Sequence, residues 1–282
     1  MSTATLSQRE VVELAGIAQR VAEEAATLVA SGHRSRPHAD KKGLRDLVTD
    51  YDKASEELLM TRLAALAPGI PVVGEEQTAE THAPEVARGG LVWYVDPLDG
   101  TTNFVHGHPF WCVAVGLMCE EQPVVGAIVA PILDMRWSGW VPLQREGDLD
   151  PTAGAAWRNG QRCRVSETSA LADGLIATGF PPIRNAVPSN NFNSFVAVKL
   201  EAQGVRRCGS AAIDLSMVAD GTYDGYWERR LHAWDIVAAG AVLLAAGGRI
   251  TSLDGAQPDY HVGNIVATNG LIHDELLRAI KG

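Results

Sequence analysis

The string Trp93-Tyr94-Val95-Asp96-Pro97-Leu98-Asp99-Gly100-Thr101-Thr102-Asn103 limits what this chain can fold into more than any other part of it. An apolar strand runs out at Asp96, and Pro97, which has no N–H, stops ladder pairing there. If the turn folds back, Asp96 and Asp99 converge with the Leu98 carbonyl between them. Carboxylate and carbonyl oxygens so close together suit a hard divalent cation. Gly100 permits a sharp turn and a close approach to a ligand. If Thr101 and Thr102 open a helix, their N–H groups and the helix dipole favour an anion next to the cation. Read by itself, the same string is also an Asp-rich turn with a helix cap.

Other acids surround this motif in sequence. Gly74-Glu75-Glu76 ends the apolar run Ile70 to Val73, a place where solvated carboxylates are common. Asp46, Asp50 and Asp52 precede a helix, where acids also serve as caps. Asp235 starts a strongly apolar helix, again an ordinary capping position. Taken singly, none of these decides between structure and chemistry.

The 282 residues are enough for one large α/β domain, or two tightly joined halves meeting at roughly 145–175. A net charge of −10 argues against a nucleic-acid partner and requires bound cations wherever an anionic substrate is handled. Cys112, Cys119, Cys163 and Cys208 show no zinc-like spacing and read as small core residues of a reducing compartment. No signal pattern or membrane-length apolar run is visible, so a cytoplasmic protein is expected.

Helical spacing predicts a first helix behind a Ser7/Glu10 capping box, ending near Gly32. Ser31 to Gly43 reads as a mobile loop, and a second helix is expected from about Asp52 to Leu66. Strands are expected at Ile70–Val73, Leu91–Val95, Trp111–Met118, Val124–Val129, Arg136–Val141 and Leu175–Thr178. Helices are expected at Phe192–Ala202, Ala211–Ala219 and Trp234–Ala246. Clustered strands with helices between them suggest a layered α/β architecture and not a regular βαβ repeat.

Gly74-Glu75-Glu76, Asp96-Pro97-Leu98-Asp99-Gly100-Thr101-Thr102-Asn103-Phe104, Gly209-Ser210-Ala211-Ala212 and Trp234-Asp235 together resemble, in order and spacing, the signatures of the inositol monophosphatase family. The resemblance spans about Asp46 to Ile250. It implies an αβαβα sandwich, usually a homodimer, that hydrolyses small phosphate monoesters with Mg²⁺ and is commonly inhibited by Li⁺. It further implies that Glu75, Asp96 and the Leu98 carbonyl hold one Mg²⁺, and that Asp96, Asp99 and Asp235 hold a second, with Glu75 also serving a third, weaker ion. Thr101, with Asp52 as its partner, resembles the group that activates water, and Glu75 belongs with them among the catalytic residues. Gly100 and Thr101 resemble the phosphate cradle. Gly209, Ser210, Ala211 and Glu228, with Asp99 and Asp235, resemble positions around the substrate.

Among substrates, inositol 1-phosphate ranks first and histidinol phosphate second, since Glu228 can face a hydroxyl or an ammonium. Fructose 1,6-bisphosphate and 3′-phosphoadenosine 5′-phosphate rank lower, because Arg206 and Arg207 are the only basic candidates for a second phosphate. Lys41 and Lys42 read as a solvated pair, although one of them resembles a family lysine near the metal site. A different class is a protein-binding member, as in RNA-polymerase-associated complexes, with catalysis secondary.

Overall fold

The computed structural model describes residues 6–43, 46–81, 90–142, 154–188 and 190–281. The chain opens with α1 (Gln8–Ala30), β1 (Ala39–Gly43), β2 (Asp46–Thr49), α2 (Asp50–Leu66), β3 (Val72–Gly74) and α3 (Glu75–Thr81). It continues with β4 (Leu91–Asp99), α4 (Thr101–Val105), β5 (Cys112–Cys119), β6 (Gln122–Ala130), β7 (Met135–Trp140), β8 (Ala155–Arg158) and β9 (Gln161–Arg162). Then come β10 (Leu175–Thr178), α5 (Phe192–Glu201), β11 (Gly204–Arg206), α6 (Ala211–Ala219) and β12 (Gly225–Glu228). The last elements are α7 (Ala233–Ala245), β13 (Arg249–Ser252), β14 (Ile265–Thr268) and α8 (His273–Lys281).

Strands β3 to β9 form a seven-stranded sheet in sequence order, antiparallel except for the β3–β4 pair. A five-stranded sheet has the order β11-β10-β12-β14-β13, with β10 parallel to both its neighbours. Helices α1 and α2 cover the outer face of the large sheet, α6 and α7 lie between the sheets, and α5 and α8 cover the small sheet. This is the expected αβαβα sandwich. Part of the expected 145–175 boundary, residues 145–153, lies outside the described residues.

Two-residue periodicity sorts the large sheet into two cores. Trp93, Val95, Val113, Val115 and Leu117 face the α1–α2 layer, while Tyr94, Cys112, Ala114 and Met118 face α7. Helix α1 starts as expected, with the Ser7 and Glu10 capping box closed. Its buried stripe, Val11, Leu14, Ala18, Val21, Ala25 and Val29, follows the helical repeat.

Helix α7 approaches the sheet unusually closely because the strands beneath it carry no side chains there. Gly116, Gly126 and Gly139 lie opposite one another on β5, β6 and β7. A Cβ on Gly116 would sit 2.5 Å from Ala238 N, and one on Gly126 would sit 1.8 Å from Ala238 O. This glycine floor fixes α7 against the sheet and thereby sets the position of Asp235 in its first turn.

Two local expectations are corrected. Residues 39–43 of the expected loop form β1, which pairs antiparallel with β2. Helix α2 begins at Asp50, because Thr49 is its cap and Asp52 at the third position reaches back to the Thr49 N–H at 2.7 Å. No helix among the described residues is long and apolar enough to cross a membrane.

Candidate active site

The site is built at the C-terminal end of β4. Strict alternation would send Asp96 and Asp99 to opposite faces of the sheet, since they are an odd number of residues apart. A register shift between them re-phases the strand, so that Asp96 pairs with Ala114 and Asp99 with Cys112. Both acids then lie on the face toward α6 and α7, while Leu98 packs in the α1–α2 core. The Ser55 hydroxyl of α2 holds the Pro97 carbonyl at 2.9 Å, anchoring the turn from behind.

Each acid has its own support. The Leu98 N–H donates to Asp96 Oδ1 at 3.0 Å. Ser210 Oγ and the Ala212 N–H both donate to Asp99 Oδ2 at 2.7 Å, so the start of α6 holds Asp99. Asp235 accepts from the His232 N–H at 2.6 Å in the first turn of α7. Glu75 opens α3, and that helix is capped from below by Glu56, whose two oxygens accept from the Glu76 and Gln77 N–H groups at 2.8 and 2.7 Å.

Burial pushes the Asp96 carboxyl well above its ordinary range, and repulsion from Glu75, Asp99 and Asp235 adds to it. Burial likewise raises Asp99 to about 6, against the pull of Ser210 and Ala212. Asp235 is raised by burial and then by Asp99 and Glu75. Asp96, Asp99 and Asp235, each raised first by burial and then by the charge of neighbouring acids, mark a place short of positive charge. The donor set is entirely hard oxygen, which fits a divalent cation such as Mg²⁺. No group of three acidic, His or Cys side chains among the described residues is already drawn around one ion position.

One charge is supplied from within. Lys42 of β1 places its ammonium 2.7 Å from Glu75 Oε1 and 2.8 Å from Glu76 Oε1, with its side chain 15% exposed. Burial pulls the ammonium down, but the two glutamates outweigh it and hold Lys42 above its usual range. Lys42 is therefore not the solvated residue expected, although Lys41 is exposed. The hairpin that carries it was the missing signal.

Beside the acids, Gly100 adopts φ +97° and caps α4. A Cβ there would lie 3.0 Å from the Phe110 carbonyl oxygen, so only glycine fits. Thr101 Oγ1 sits 2.9 Å from Asp52 Oδ1 and 3.1 Å from the Leu98 carbonyl oxygen. Asp52 is 1% exposed, and burial raises its carboxyl despite hydrogen bonds from Thr49 and Thr101. A hydroxyl between a raised acid and a carbonyl can pass or take a proton.

A cleft of about 910 Å³ opens over these residues. It is lined by Glu75, Asp96, Leu98, Asp99, Gly100, Thr101, Gly209, Glu228 and Asp235 among the expected positions. Asp52 lies behind Thr101, and Ser210 and Ala211 lie behind Gly209. Ser210 is 1% exposed, with its hydroxyl on Asp99 and on the Ile213 N–H. Burial raises the Glu228 carboxyl to about 7, while the Tyr226 hydroxyl and Arg207 pull it down. Asp214, unanticipated from the sequence, is 2% exposed in α6, and its Oδ1 has no hydrogen-bond partner among the described residues.

The sequence pattern of the inositol monophosphatase family matches residues 8–282. The inositol-1-monophosphatase of Synechocystis sp. is 37% identical over 237 residues, covering 83% of this chain and 77% of that protein. A fructose-1,6-bisphosphatase/inositol-1-monophosphatase of Aquifex aeolicus is 35% identical over 250 residues, covering 89% and 88%. The solved inositol monophosphatase of Anabaena (Nostoc) sp. has a TM-score of 0.81 and 36% identity, covering 96% of each chain. The chain belongs to the inositol monophosphatase family.

Proposed function

From the family to which this phosphoric monoester hydrolase belongs, we propose that it hydrolyses a small polyol phosphate with Mg²⁺, inositol 1-phosphate first and histidinol phosphate second. The observation that carries this reading is the convergence of Asp96, Asp99 and Asp235 beside Gly100 and Thr101 on one cleft, where burial first and neighbouring acids second raise all three carboxyls.

Glu75, Asp96 and the Leu98 carbonyl would hold one Mg²⁺, and Asp96, Asp99 and Asp235 a second, with Glu75 also placed for a third. Ions bound there supply Lewis acidity, lower the pKa of water and neutralise a phosphate dianion that these acids would otherwise repel. The protein's own groups do the rest. Gly100 and Thr101 receive phosphate oxygens on their N–H groups. The Thr101 hydroxyl, held by Asp52, orients the attacking water and moves its proton toward Asp52. Glu228 accepts hydrogen bonds from hydroxyls of the leaving alcohol, at a height set by Gly179, where a Cβ would collide with its carboxylate. Positioning and charge dominate such a reaction, since the transition state needs little covalent help. The working form is proposed as a cytoplasmic homodimer.

The test is phosphate release, with and without Mg²⁺, from inositol 1-phosphate, histidinol phosphate, fructose 1,6-bisphosphate and 3′-phosphoadenosine 5′-phosphate. Inositol 1-phosphate should lead by about tenfold, which corresponds to about 1.4 kcal/mol of differential transition-state binding. No Mg²⁺-dependent release from any of them overturns the reading.

A further inference from the structure

Aromatic rings hold the proposed phosphate cradle from behind. Phe104 of α4 and Trp111, just before β5, are fully buried in the α1–α2 core and meet edge to face, with 5.2 Å between ring centroids. A Cβ on Gly100 would come 3.2 Å from Trp111 Cβ, so the Trp111 segment is the wall against which the Gly100 turn rests. The Phe104 N–H donates to the Gly100 carbonyl at 3.0 Å and ties α4 to the same turn. Tyr51 of α2 meets Phe104 at 5.5 Å, one residue before the Asp52 that holds Thr101.

His33 completes this cluster. It belongs to the turn after α1, where a Cβ on Gly32 would collide with the Tyr51 ring, so the turn is pressed onto α2. The imidazole lies 5.9 Å from the Trp111 ring and 6.4 Å from that of Phe104. The Trp111 indole N–H donates to His33 Nδ1 at 3.2 Å. An indole nitrogen only donates, so Nδ1 accepts and the neutral ring carries its proton on Nε2. That Nε2 is buried and has no hydrogen-bond partner among the described residues. An apolar side chain would fill the same space without burying an unmatched N–H. What the histidine adds is an acceptor for Trp111. Burial, and then Arg34, hold the imidazole below its usual range.

We propose that His33 is a positioning residue for the cradle: its neutral imidazole holds Trp111 and, through Trp111 and Phe104, the Gly100–Thr101 turn. This rests on the phosphatase reading and extends it to a group outside the cleft lining. Protonation makes both ring nitrogens donors, so Nδ1 then faces the Trp111 N–H without a lone pair and the bond is lost. His33 is half-buried, which leaves water within reach of the imidazolium. The charged neighbour on its own turn is Arg34; α2 brings the phenol of Tyr51, and the α4–β5 side brings the uncharged rings of Phe104 and Trp111. His106 and His108, between α4 and β5, are exposed. His33 thus couples the cradle to pH from outside the cleft.

The first experiment follows the protein, labelled with ¹⁵N-tryptophan and free of Mg²⁺, by NMR from pH 7.5 to 5. The Trp111 indole signal is assigned by its loss in Trp111→Phe. It should shift as pH falls, with a midpoint below the 6.5 of an ordinary histidine. In His33→Gln, whose side-chain oxygen accepts at every pH, it should stay in place. Inhibition by inorganic phosphate at saturating Mg²⁺ reads the cradle itself. At pH 7.5 it should be about fivefold weaker in His33→Leu, the order of one lost hydrogen bond, and restored in His33→Gln. From pH 7.5 to 5.5 it should weaken more in the wild type than in His33→Gln, which shares every other titrating group. Circular dichroism and thermal unfolding show whether His33→Leu is folded; should it not fold, the pH comparison of wild type and His33→Gln decides. An indole signal that ignores pH, or moves equally in His33→Gln, overturns the coupling. Phosphate inhibition equal in folded His33→Leu and wild type overturns the positioning role. If no compound yields phosphate, the phosphatase reading falls and the cradle role with it, whereas the indole signal still reads the His33–Trp111 bond.

Discussion

The Lys42 ammonium lies 2.7 Å from Glu75 Oε1, so an acid that the metal reading requires is held by a lysine of the β1–β2 hairpin. A lysine and an incoming cation satisfy the same carboxylate, and each makes the other less necessary. In Lys42→Met, Glu75 and Glu76 lose their counter-charge in a nearly buried place. Without Mg²⁺ the variant should lose about 3 kcal/mol of stability, the order expected when one partner of a buried pair is removed. With saturating Mg²⁺ the loss should shrink, and Mg²⁺ should bind more tightly than in the wild type. Thermal unfolding across a Mg²⁺ titration reads both effects; a weaker Mg²⁺ response in Lys42→Met would show that the lysine helps to hold the ion.

Burial and three neighbouring acids, Glu75, Asp99 and Asp235, all raise the Asp96 carboxyl, and Asp96→Asn should abolish turnover. Thr101→Ala is a finer test, because it removes a hydroxyl whose partners among the described residues are Asp52 and the Leu98 carbonyl. Loss of a proton-transfer group costs about 10²-fold or more, and Thr101→Ser should recover most of it. If Thr101→Ala matches the wild-type rate, the threonine only lines the phosphate cradle.

What the sequence revealed of this site was its local part. The apolar run into Asp96-Pro97 and the glycine at position 100 are readable because strand, stop and left-handed turn depend on neighbouring residues. That Asp96 and Asp99 share a face is not readable, because the register shift of β4 is defined only against β5. Lys42 was missed for a similar reason. Its segment shows no alternation, and its partners lie 33 and 34 residues away. The four-residue strands β13 and β14 carry too little pattern to stand out from loops. Arg207, Arg229 and Arg230, which line one cleft, are likewise scattered in the sequence.

Glu56 acts on Glu75 without touching the cleft. Its carboxylate caps α3, and a Cβ on Gly74 would meet it at 2.4 Å, so it fills the space under the Gly74-Glu75 turn. Glu56→Ala leaves two N–H groups without acceptors and should cost about 1–2 kcal/mol. It should also raise the Mg²⁺ concentration for half-maximal rate, because Glu75 loses its support. Glu56→Gln, which keeps one acceptor, should fall between. An unchanged Mg²⁺ requirement in a destabilised Glu56→Ala would confine Glu56 to stability.

The glycine floor under α7 makes a stability prediction that bears on the site. In Gly126→Ala the new Cβ meets the Ala238 carbonyl, a backbone atom that moves only if α7 moves. Overpacking of this kind costs about 1–3 kcal/mol. Since α7 carries Asp235, the variant should also bind Mg²⁺ more weakly. Urea unfolding and a Mg²⁺ titration check the two halves; tight Mg²⁺ binding in the variant would show that Asp235 tolerates the shift.

Glu228 should make stability depend on pH in a stated direction. Burial raises its carboxyl from the ordinary 4.5 to about 7, so the folded protein binds this proton more strongly than the unfolded chain does. A group raised on folding contributes stability that is fully present below about pH 4.5 and is lost as pH rises toward 7. Glu76 and Asp99 are raised in an overlapping range, so the wild-type curve alone cannot isolate Glu228. The difference between wild type and Glu228→Gln does, because the amide keeps the shape and does not titrate. Measured without Mg²⁺ by thermal unfolding from pH 4.5 to 7.5, the wild type should lose stability more steeply than Glu228→Gln as pH rises. Parallel curves would mean that Glu228 titrates as an ordinary glutamate, open to water and free of the burial that Gly179 and Tyr226 impose on it.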